Sequence, residues 1–399
     1  MVRFAHLADV HLGAFREAEL RRLNLLAFTK ALDECLERKV DFVVIAGDLF
    51  HINIPDLGVV EEAVRKMREV RDAGVPVYVV YGSHDYSPTE TSIVDVLAGA
   101  GLIVKVVDGA YEEGRLKLKF VVDGKTGVKL CGLSARKRGL EKAFYEELDV
   151  DGLEKESGQK VFVFHGAVEE FKAKDLAEMD GLPLSVFPKG FAYYAGGHVH
   201  GRFEKEVNGG LMVMPGALFA ADFRDLESLS EGPGGFYVVE LGDGKAKAEF
   251  VPLPVAKVES LEFDADKKSS AEAFEDLKAL AETAEGADVV LLKVSGELSS
   301  GKPSEIDFGQ LRAKLLEKAK AVYVNRNSLC AAGRTELRVE AQSREDIERK
   351  IFAERAREKS VDATGALLLL KELRQEQKAG SRKDYEALVE QRGRKVLAI

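Results

Sequence analysis

The chain has 399 residues, of which 46% are hydrophobic and 32% are charged, and its formal net charge is −10. This length predicts two or three domains, and no run reaches the roughly 18 apolar residues that a membrane helix needs. The three cysteines are far apart and form no Cys-x-x-Cys pair, which argues against a disulfide framework or a thiolate metal site. The first residues lack the pattern of a signal peptide, so we expect a cytoplasmic protein.

The first part of the chain alternates short β-branched runs with amphipathic helical stretches, which is typical of a layered α/β fold. A helix is predicted over 17–39, where leucines recur on one face. The predicted strands are Val2–Leu7, Phe42–Ile45, Val75–Tyr81, Lys129–Leu133, Val161–Phe164, Phe191–Ala195, Leu211–Met214 and Phe236–Leu241. Pro252 and Pro254 interrupt this pattern. We therefore expect a first domain over 1–255.

A smaller unit follows, with the order strand, helix, strand, helix, strand. Its predicted elements are Val258–Phe263, Ala271–Ala284, Val289–Val294, Phe308–Leu316 and Ala321–Val324. We expect this small α+β unit to be a capping domain over 256–330. A linker over 331–342 and a highly charged helical arm over 343–399 would complete the chain.

The arm carries apolar side chains that one isolated helix cannot hide. They are Ile347, Ile351 and Phe352 on one helical stripe, and Leu367, Leu368, Leu369 and Leu370 in a consecutive run. Such side chains pack either into the groove of a partner protein or against the rest of the arm. We favour the partner groove.

The histidines give the clearest functional signal. Six of the seven fall into five short patterns: Asp9-Val-His11, Gly47-Asp48-Leu-Phe-His51, Gly82-Ser83-His84-Asp85, His165-Gly166 and Gly197-His198-Val-His200. Each pattern follows a predicted strand, and the carboxyl ends of strands in an α/β sheet converge on one crevice. The seventh, His6, lies within the first strand, and we expect it to be a buried histidine outside the ligand set.

Imidazole and carboxylate together suit manganese, iron or zinc better than calcium. In an extended segment, residues i and i+2 point to the same face, so Asp9 with His11, and His198 with His200, are predicted to reach one metal cluster. Asp48, beside a glycine and central in the series, is the natural bridging carboxylate. Two ions about 3.5–4 Å apart can activate water and neutralise a phosphoryl group. The patterns together predict phosphoesterase chemistry.

The series Asp-x-His, Gly-Asp-Leu-Phe-His, Gly-x-His-Asp, His-Gly and Gly-His-Val-His resembles the calcineurin-like metallophosphoesterases, which implies a layered β-sandwich with flanking helices. Within that superfamily, the opening Phe-Ala-His-Leu-Ala-Asp-Val-His-Leu-Gly and the histidine that ends Gly-Asp-Leu-Phe-His resemble the meiotic-recombination-eleven/SbcD family of DNA double-strand-break repair nucleases. The resemblance covers the whole chain, including the cap and the arm.

The family resemblance implies an activity, cofactors and partners. The activity would be a double-strand exonuclease with single-strand endonuclease activity, which uses two Mn²⁺ ions, with Mg²⁺ or another divalent ion as the alternative. The protein would bind DNA and form a homodimer. It would also bind a coiled-coil ABC ATPase of the SbcC type through the C-terminal helices.

The resemblance also assigns metal ligands by position. The first ion would bind Asp9, His11, Asp48 and His200, and the second would bind Asp48, position 83, His165 and His198. Position 83 departs from the family, because Ser83 stands where the family has asparagine. A hydroxyl is shorter than an amide and a weaker neutral ligand. The departure therefore predicts a weakened second ion.

The catalytic residues implied by the resemblance lie beside these ligands. His84 matches the histidine that protonates or orients the leaving oxygen, and Asp85 is expected to set its tautomer. His51 matches a histidine that contacts phosphate near the metals.

Two further sets of residues can each be interpreted in two ways. Arg136, Lys137 and Arg138 follow a predicted strand and either contact DNA phosphates or form a solvated basic turn. Val60 and Val96 lie on predicted helical segments, where they match the family's apolar dimer contact or pack in the core.

Two other functions stay open. The chain could be another metallophosphoesterase, such as a cyclic-nucleotide phosphodiesterase or a protein phosphatase. Phosphatases are expected to read Gly-Asp-x-Val-Asp-Arg-Gly where this chain reads Gly-Asp-Leu-Phe-His, and members with small substrates need neither a cap nor an arm. It could instead be a DNA-binding subunit without nuclease activity, which Ser83 alone favours. Metal occupancy measured beside a nuclease assay separates the three.

Overall fold

The computed structural model of the chain describes residues 1–86, 91–135, 141–172 and 180–331, together with residue 390. The chain divides into two units, Met1–Ala331 and Ala332–Ile399. The predicted arm therefore lies outside the described residues apart from residue 390, and the predicted domain boundaries stay predictions. Within the described ranges, no helix is long and apolar enough to cross a membrane.

The first part of the described chain alternates strands and helices, as its sequence pattern predicts. Its elements are β1 (Val2–Leu7), α1 (Ala18–Glu37), β2 (Phe42–Ala46), α2 (Leu57–Asp72), β3 (Val77–Val80), α3 (Ile93–Gly99), β4 (Val104–Lys105), β5 (Gly109–Glu112), β6 (Arg115–Leu118), β7 (Val121–Val122), β8 (Lys129–Leu133), α4 (Glu141–Glu146), α5 (Val150–Lys155), β9 (Lys160–His165), β10 (Tyr193–Gly197), β11 (Phe203–Val207), β12 (Gly210–Met214), α6 (Phe223–Glu231), β13 (Gly235–Gly242) and β14 (Lys245–Pro252).

Two six-stranded sheets form the body of this part, in the orders β14-β13-β1-β2-β3-β4 and β11-β12-β10-β9-β8-β7. The strands β1 to β4 are parallel to one another, as are β8, β9, β10 and β12. Parallel neighbours need long crossover connections, and α1, α2 and α3 supply them in the first sheet. The motif residues therefore fall at the carboxyl ends of parallel strands.

The alternation of side chains along β1 shows how the layers are held together. Phe4 and Ala8 belong to the apolar cluster between the two sheets, whereas Ala5 and Leu7 belong to the cluster beneath the helices. Both faces of the strand are thus buried, which explains its nearly continuous apolar sequence. The burial of a large apolar side chain such as Phe4 or Leu7 contributes about 1.5–3 kcal/mol.

The smaller unit consists of β15 (Val258–Asp264), α7 (Ser270–Thr283), β16 (Val289–Glu297), α8 (Phe308–Leu316) and β17 (Ala321–Cys330). Its three strands are parallel, and its helices pack on one face of the sheet. The opposite face shares an apolar cluster with α6 and α1, to which it contributes Val258, Val289, Leu291 and Ala321. We call this unit, residues 258–330, the cap; within Met1–Ala331 it is packed on the larger part.

The fold class predicted from the sequence, a layered β-sandwich with flanking helices, is confirmed. The strands β1 and β8 and the helix α8 have the predicted bounds. Several strands were not predicted, namely β4, β5, β6, β7, β11 and β14. These strands are short or lie at sheet edges, and the residues of β5 are all exposed. Because an exposed edge strand buries little apolar surface, its sequence carries little periodic signal.

Candidate metal centre

The five histidine patterns lie at the ends of five parallel strands. Asp9 and His11 follow β1, Asp48 follows β2, and the Ser83 loop follows β3. His165 is the last residue of β9, and His198 directly follows β10. The structure therefore brings the predicted residues of both sheets to one edge of the sandwich.

The local backbone differs from the extended geometry that the i, i+2 spacing predicted. The φ angles of Asp9, His11 and His198 are 49°, 47° and 93°, in the left-handed region that non-glycine residues rarely adopt. The extended prediction is wrong because β1 ends at Leu7 and the loop beyond it is held by Asp48, whose carbonyl accepts from the His11 amide at 2.9 Å. Such strained residues cost on the order of 1–3 kcal/mol each and persist where the surroundings fix them.

Two groups of ligand-type side chains meet within the described residues. The first group is Asp9, His11 and His200, and the second group is Asp48, His165 and His198; within each, the ligand atoms lie within 4.8 Å of one another. Asp48 stands between the groups, because its Oδ2 lies 3.7 Å from His11 Nε2 and 3.2 Å from His165 Nε2. This is the placement expected of a carboxylate that bridges two ions.

A third cluster adjoins the first group. His11, His51 and His84 also offer ring nitrogens within 4.8 Å of one another, and the His51 and His84 rings stack with centroids 5.1 Å apart. His84 Nδ1 donates to the carbonyl of His51 at 2.6 Å. That bond leaves His84 Nε2 as the ring nitrogen available to a substrate.

The donor atoms fit divalent cations. The Nε2 atoms of His11 and His200 lie only 3.1 Å apart, and His165 Nε2 is buried without a hydrogen-bond partner. The other nitrogen of His165 bonds the Ala46 carbonyl at 2.8 Å, which fixes the ring with Nε2 towards Asp48. Rings held by one nitrogen, with the other facing a shared space, are typical of metal-ligating histidines.

Burial and neighbouring charges shift the pKa values of these side chains in opposite directions. Burial raises the pKa of the Asp9 carboxyl to about 6 and lowers the pKa of His11 to about 3 and of His198 to about 4. Burial would also lower the pKa of His165, but the neighbouring carboxylates of Asp48 and Asp9 outweigh it and raise that pKa to about 10. Without an ion, protons therefore balance part of the negative charge at the site.

Two glycines allow the loops to approach this closely. A Cβ at Gly82 would lie 2.0 Å from Asp48 Oδ1, and a Cβ at Gly47 would lie 2.3 Å from His165 Nδ1. Gly47 also has φ of +84°, which a side chain would strain. The second and third motifs therefore each contain a glycine at the point where another motif packs closely against it.

Asp85 does not set the tautomer of His84, so that prediction is wrong. The Asp85 side chain is fully buried and accepts from the backbone amides of Leu49, Phe50 and Gly82 at 3.2, 3.1 and 3.0 Å. It points at three N–H groups that have no strand partner, because these satisfy a buried carboxylate better than one imidazole can. The residue ties the second motif to the third, and the His51 carbonyl holds His84.

Ser83 faces the second group. Its hydroxyl lies 3.4 Å from Asp48 Oδ2, and the adjoining His84 amide donates to Asp48 Oδ1 at 2.7 Å. Position 83 is therefore close to the ligands of the second group, where the family resemblance put it, and the short side chain contacts the Asp48 carboxylate.

One functional residue was missed by the sequence reasoning. Asp225, in the first turn of α6, accepts a hydrogen bond from His200 Nδ1, with its two oxygens 2.9 and 2.8 Å away. Burial alone would raise the pKa of Asp225, but the hydrogen bond from His200 outweighs it and lowers the pKa. The only sequence signal is an acidic residue near a helix start, which usually indicates capping.

The remaining candidates are placed as follows. Val60 is partly buried against the helix-side core, whereas Val96 is 56% exposed, so core packing does not account for Val96. His6 is buried, outside the three groups, and bonded to the Tyr193 hydroxyl at 2.9 Å. Arg136, Lys137 and Arg138, and the apolar residues of the arm, lie outside the described residues.

Comparison with known proteins defines the class. The family model of calcineurin-like phosphoesterases matches residues 2–202, which is about half of the chain and holds every residue of the three groups. The chain belongs to this family of metallophosphoesterases. The match covers the strands β1 to β10 and the three groups, and it ends before β11, α6 and the cap.

Longer similarities extend beyond that domain. The DNA double-strand break repair protein Mre11 of Archaeoglobus fulgidus is 28% identical over 355 residues, 82% of this chain and 77% of that protein. Mre11 of Methanocaldococcus jannaschii is 27% identical over 328 residues, 81% of this chain and 82% of that protein. These matches confirm the resemblance to the double-strand-break repair nucleases. A dimetal phosphatase of Danio rerio has a TM-score of 0.40 at 13% identity, covering 63% of this chain and 96% of that one.

Proposed function

We propose that this chain hydrolyses phosphodiester bonds in DNA at two divalent ions, with manganese as the cofactor. The observation that carries the proposal is the carboxylate of Asp48, which lies between two groups of imidazole and carboxylate ligands. Two ions held in this way supply an activated water and neutralise charge on a phosphoryl group. The ligands would be Asp9, His11, Asp48 and His200 for one ion, and Asp48, His165 and His198, with Ser83 beside them, for the other.

His84 would act on the leaving oxygen. Because its Nδ1–H donates to the His51 carbonyl, Nε2 is the free ring nitrogen, and in the imidazolium form Nε2 can donate a proton to a departing group. His51, stacked on His84, would contact the same phosphate. Asp85 would position both residues through the loop amides that it binds.

The choice of DNA rests on the relatives and on the length of the similarity. The relatives in Archaeoglobus fulgidus and Methanocaldococcus jannaschii are described as DNA double-strand break repair proteins, and their similarity covers about four fifths of this chain. We infer exonuclease activity on duplex ends and endonuclease activity on single strands. Cys35 and Cys131 are buried and unpaired, which is consistent with work in a reducing cytoplasm.

The test is cleavage by the full chain with manganese on three substrates: a duplex with free ends, a circular single strand, and bis(p-nitrophenyl) phosphate. We expect all three to be cut and a phosphomonoester to be left intact. Hydrolysis of a phosphomonoester or a cyclic nucleotide without cutting DNA would support another metallophosphoesterase. Bound manganese with no hydrolysis of any substrate would support the nuclease-silent subunit, which the weak ligand Ser83 favours.

A second proposal is a homodimer formed through the surface near α2 and α3. These helices follow neighbouring parallel strands, and Ile54, Leu57 and Val96 are 78%, 81% and 56% exposed. Val60 lies beside them, partly buried. Analytical ultracentrifugation of Leu57→Glu with Val96→Glu should show monomers. Val122→Glu, an equally exposed valine on β7, is the control that should stay dimeric.

The partner is proposed to be a coiled-coil ABC ATPase bound by the arm. Its contacts would be Ile347, Ile351, Phe352 and Leu367, Leu368, Leu369 and Leu370. Leu368→Glu with Leu369→Glu should abolish co-purification with the ATPase and leave cleavage of short DNA unchanged. Loss of cleavage in this variant would show that the arm serves the enzyme itself.

The proposed contacts with the phosphates of DNA are Arg136, Lys137 and Arg138.

A further inference from the structure

The buried carboxylate of Asp225 is held in one position by its own helix. The Ala221 amide donates to Asp225 Oδ2 at 2.7 Å, and the Asp225 amide donates to Asp222 Oδ1, the cap of α6, at 3.1 Å. The side chain is therefore fixed while both of its oxygens lie within 2.9 Å of His200 Nδ1. A carboxylate so placed keeps the proton of His200 on Nδ1 and leaves Nε2 for the first group.

The opposite face of α6 is attached to the cap. Residues two positions apart lie about 200° apart around a helix, so Phe223 and Glu227 point away from Asp225. Phe223 packs against the ring of Tyr323 in β17, with centroids 5.4 Å apart, and Glu227 pairs with Lys293 of β16 at 2.7 Å. The helix thus contacts a metal-group histidine on one side and two strands of the cap on the other.

Leu226 completes this arrangement. It is fully buried and belongs to the same apolar cluster as Val258, Val289 and Leu291 of the cap sheet. Because α6 is only nine residues long and is fixed at its first turn by Asp222, a shift of the cap sheet would carry the helix and Asp225 with it. Close-packed interiors transmit such displacements.

We propose that α6 is a link through which the cap positions His200, with Asp225 as the positioning residue. The position of the cap thereby sets the affinity of the first group for its ion. This inference rests on the metal-dependent function proposed above and adds a device that controls one half of the site. The second group has no corresponding link among the described residues, since His165 is oriented by the Ala46 carbonyl of β2.

The first test separates positioning from helix capping. Asp225→Asn keeps an oxygen for the Ala221 amide but can donate its NH₂ to His200 Nδ1, which moves the ring proton to Nε2, the ligand atom. Asp225→Glu keeps the carboxylate. We expect the asparagine variant to weaken manganese binding in the first group by about tenfold or more, and the glutamate variant to restore most of it. Nitrogen-15 NMR of the metal-free, histidine-labelled full chain, recorded at about pH 10 so that His200, whose pKa is raised to about 9, is neutral, should show the changed tautomer directly.

The second test addresses the cap. Tyr323→Ala with Lys293→Gln removes the cap-side contacts of Phe223 and Glu227, keeps the apolar packing of Leu226, and leaves the metal groups untouched. It should weaken the first ion roughly threefold while leaving the second unchanged. The matched control is Tyr111→Ala with Lys117→Gln on the β5–β6 hairpin, which should change neither constant. Thermal unfolding of every variant verifies that it is folded.

These outcomes either support or overturn the link. Equal manganese affinity and an unchanged His200 tautomer in the asparagine variant would reduce Asp225 to a helix-capping residue. An unchanged first-ion constant in the cap-side variant would remove the cap from the argument. Failure of the proposed function looks different, because the unaltered chain would then cut no DNA, whereas the manganese constants and the NMR readout need no cleavage.

Discussion

The two halves of the metal centre are built from similar side chains but are supported differently. In the first group, His200 is oriented by the carboxylate of Asp225, which is carried by a helix packed on the cap. In the second group, His165 is oriented by a main-chain carbonyl of the central sheet, and the short side chain of Ser83 lies beside the Asp48 carboxylate. One half is therefore supported by a helix that packs on the cap, and the other by the main chain of the central sheet.

The comparison teaches that equal ligand chemistry does not mean equal control. The affinity of a metal site depends on how firmly its ligands are oriented as well as on their identity. We expect the first group to respond to changes in the cap, and the second group to respond to the length of the side chain at position 83. The predictions that follow run from the largest expected effect to the smallest.

The largest effect on metal binding and cleavage is expected at Asp48, which lies between the first and second groups. Asp48→Asn removes the negative charge shared by both groups, and an amide is a poorer bridge between two cations. Mass spectrometry of the native protein should show both ions lost at micromolar manganese, with no detectable cleavage of DNA. The control is Asp33→Asn, because Asp33 is an exposed residue of α1 that pairs with Lys66. Loss of only one ion would show that Asp48 does not bridge.

His84→Ala should separate catalysis from metal binding. The ring contacts His51 and neighbours His11, but it belongs to neither the first nor the second group. Cleavage should fall by about 100-fold or more, the usual order for a general acid, while manganese binding is kept. Isothermal titration calorimetry beside a nuclease assay measures both quantities. A variant that lost an ion would instead identify His84 as a ligand.

The pH dependence should distinguish the halves. Metal binds only deprotonated ligands. His200 and His165, with pKa values of about 9 and 10 in the metal-free chain, must each lose a proton. Manganese affinity should therefore rise with pH, by about tenfold per unit near neutrality. Below about pH 6 the first group should weaken more steeply, because Asp9, with a pKa of about 6, is then also protonated.

The control for this prediction is calorimetry in buffers of different ionisation enthalpy, which counts the protons released by each ion. Near pH 7 we expect about one proton per ion, and more than one for the first ion near pH 6. Equal proton release at both values would contradict the assignment of Asp9 to the first group.

The smallest effect concerns Ser83. Ser83→Asn adds a longer neutral ligand beside the second group and should tighten that ion about fivefold, the equivalent of about 1 kcal/mol. Activity should rise at limiting manganese and stay unchanged at saturation. Ser83→Ala is the matched control, and it should cost little if the hydroxyl is too short to bind the ion. Two equally tight sites in all three proteins would show that position 83 takes no part.

The sequence by itself determined which residues meet. Parallel strands that end in Asp-x-His, Gly-Asp or His-Gly must bring those side chains to one sheet edge, because connection and handedness leave few other arrangements. The buried strand β1 and the helix α8 were predicted to the residue, since continuous burial and one apolar face leave strong periodic signals. Short exposed strands such as β5 leave none.

Only the tertiary structure decided how the site residues are held. Nothing in the sequence relates Asp225 to His200, because a hydrogen bond between a helix and a distant loop follows from packing and not from spacing. The same holds for Asp85. It was expected to orient His84, but its carboxylate accepts hydrogen bonds from three loop amides instead. The left-handed turns at Asp9 and His11 likewise arise from contacts with the next motif. Local sequence patterns determine which residues are candidate ligands, and long-range packing determines how their side chains are oriented.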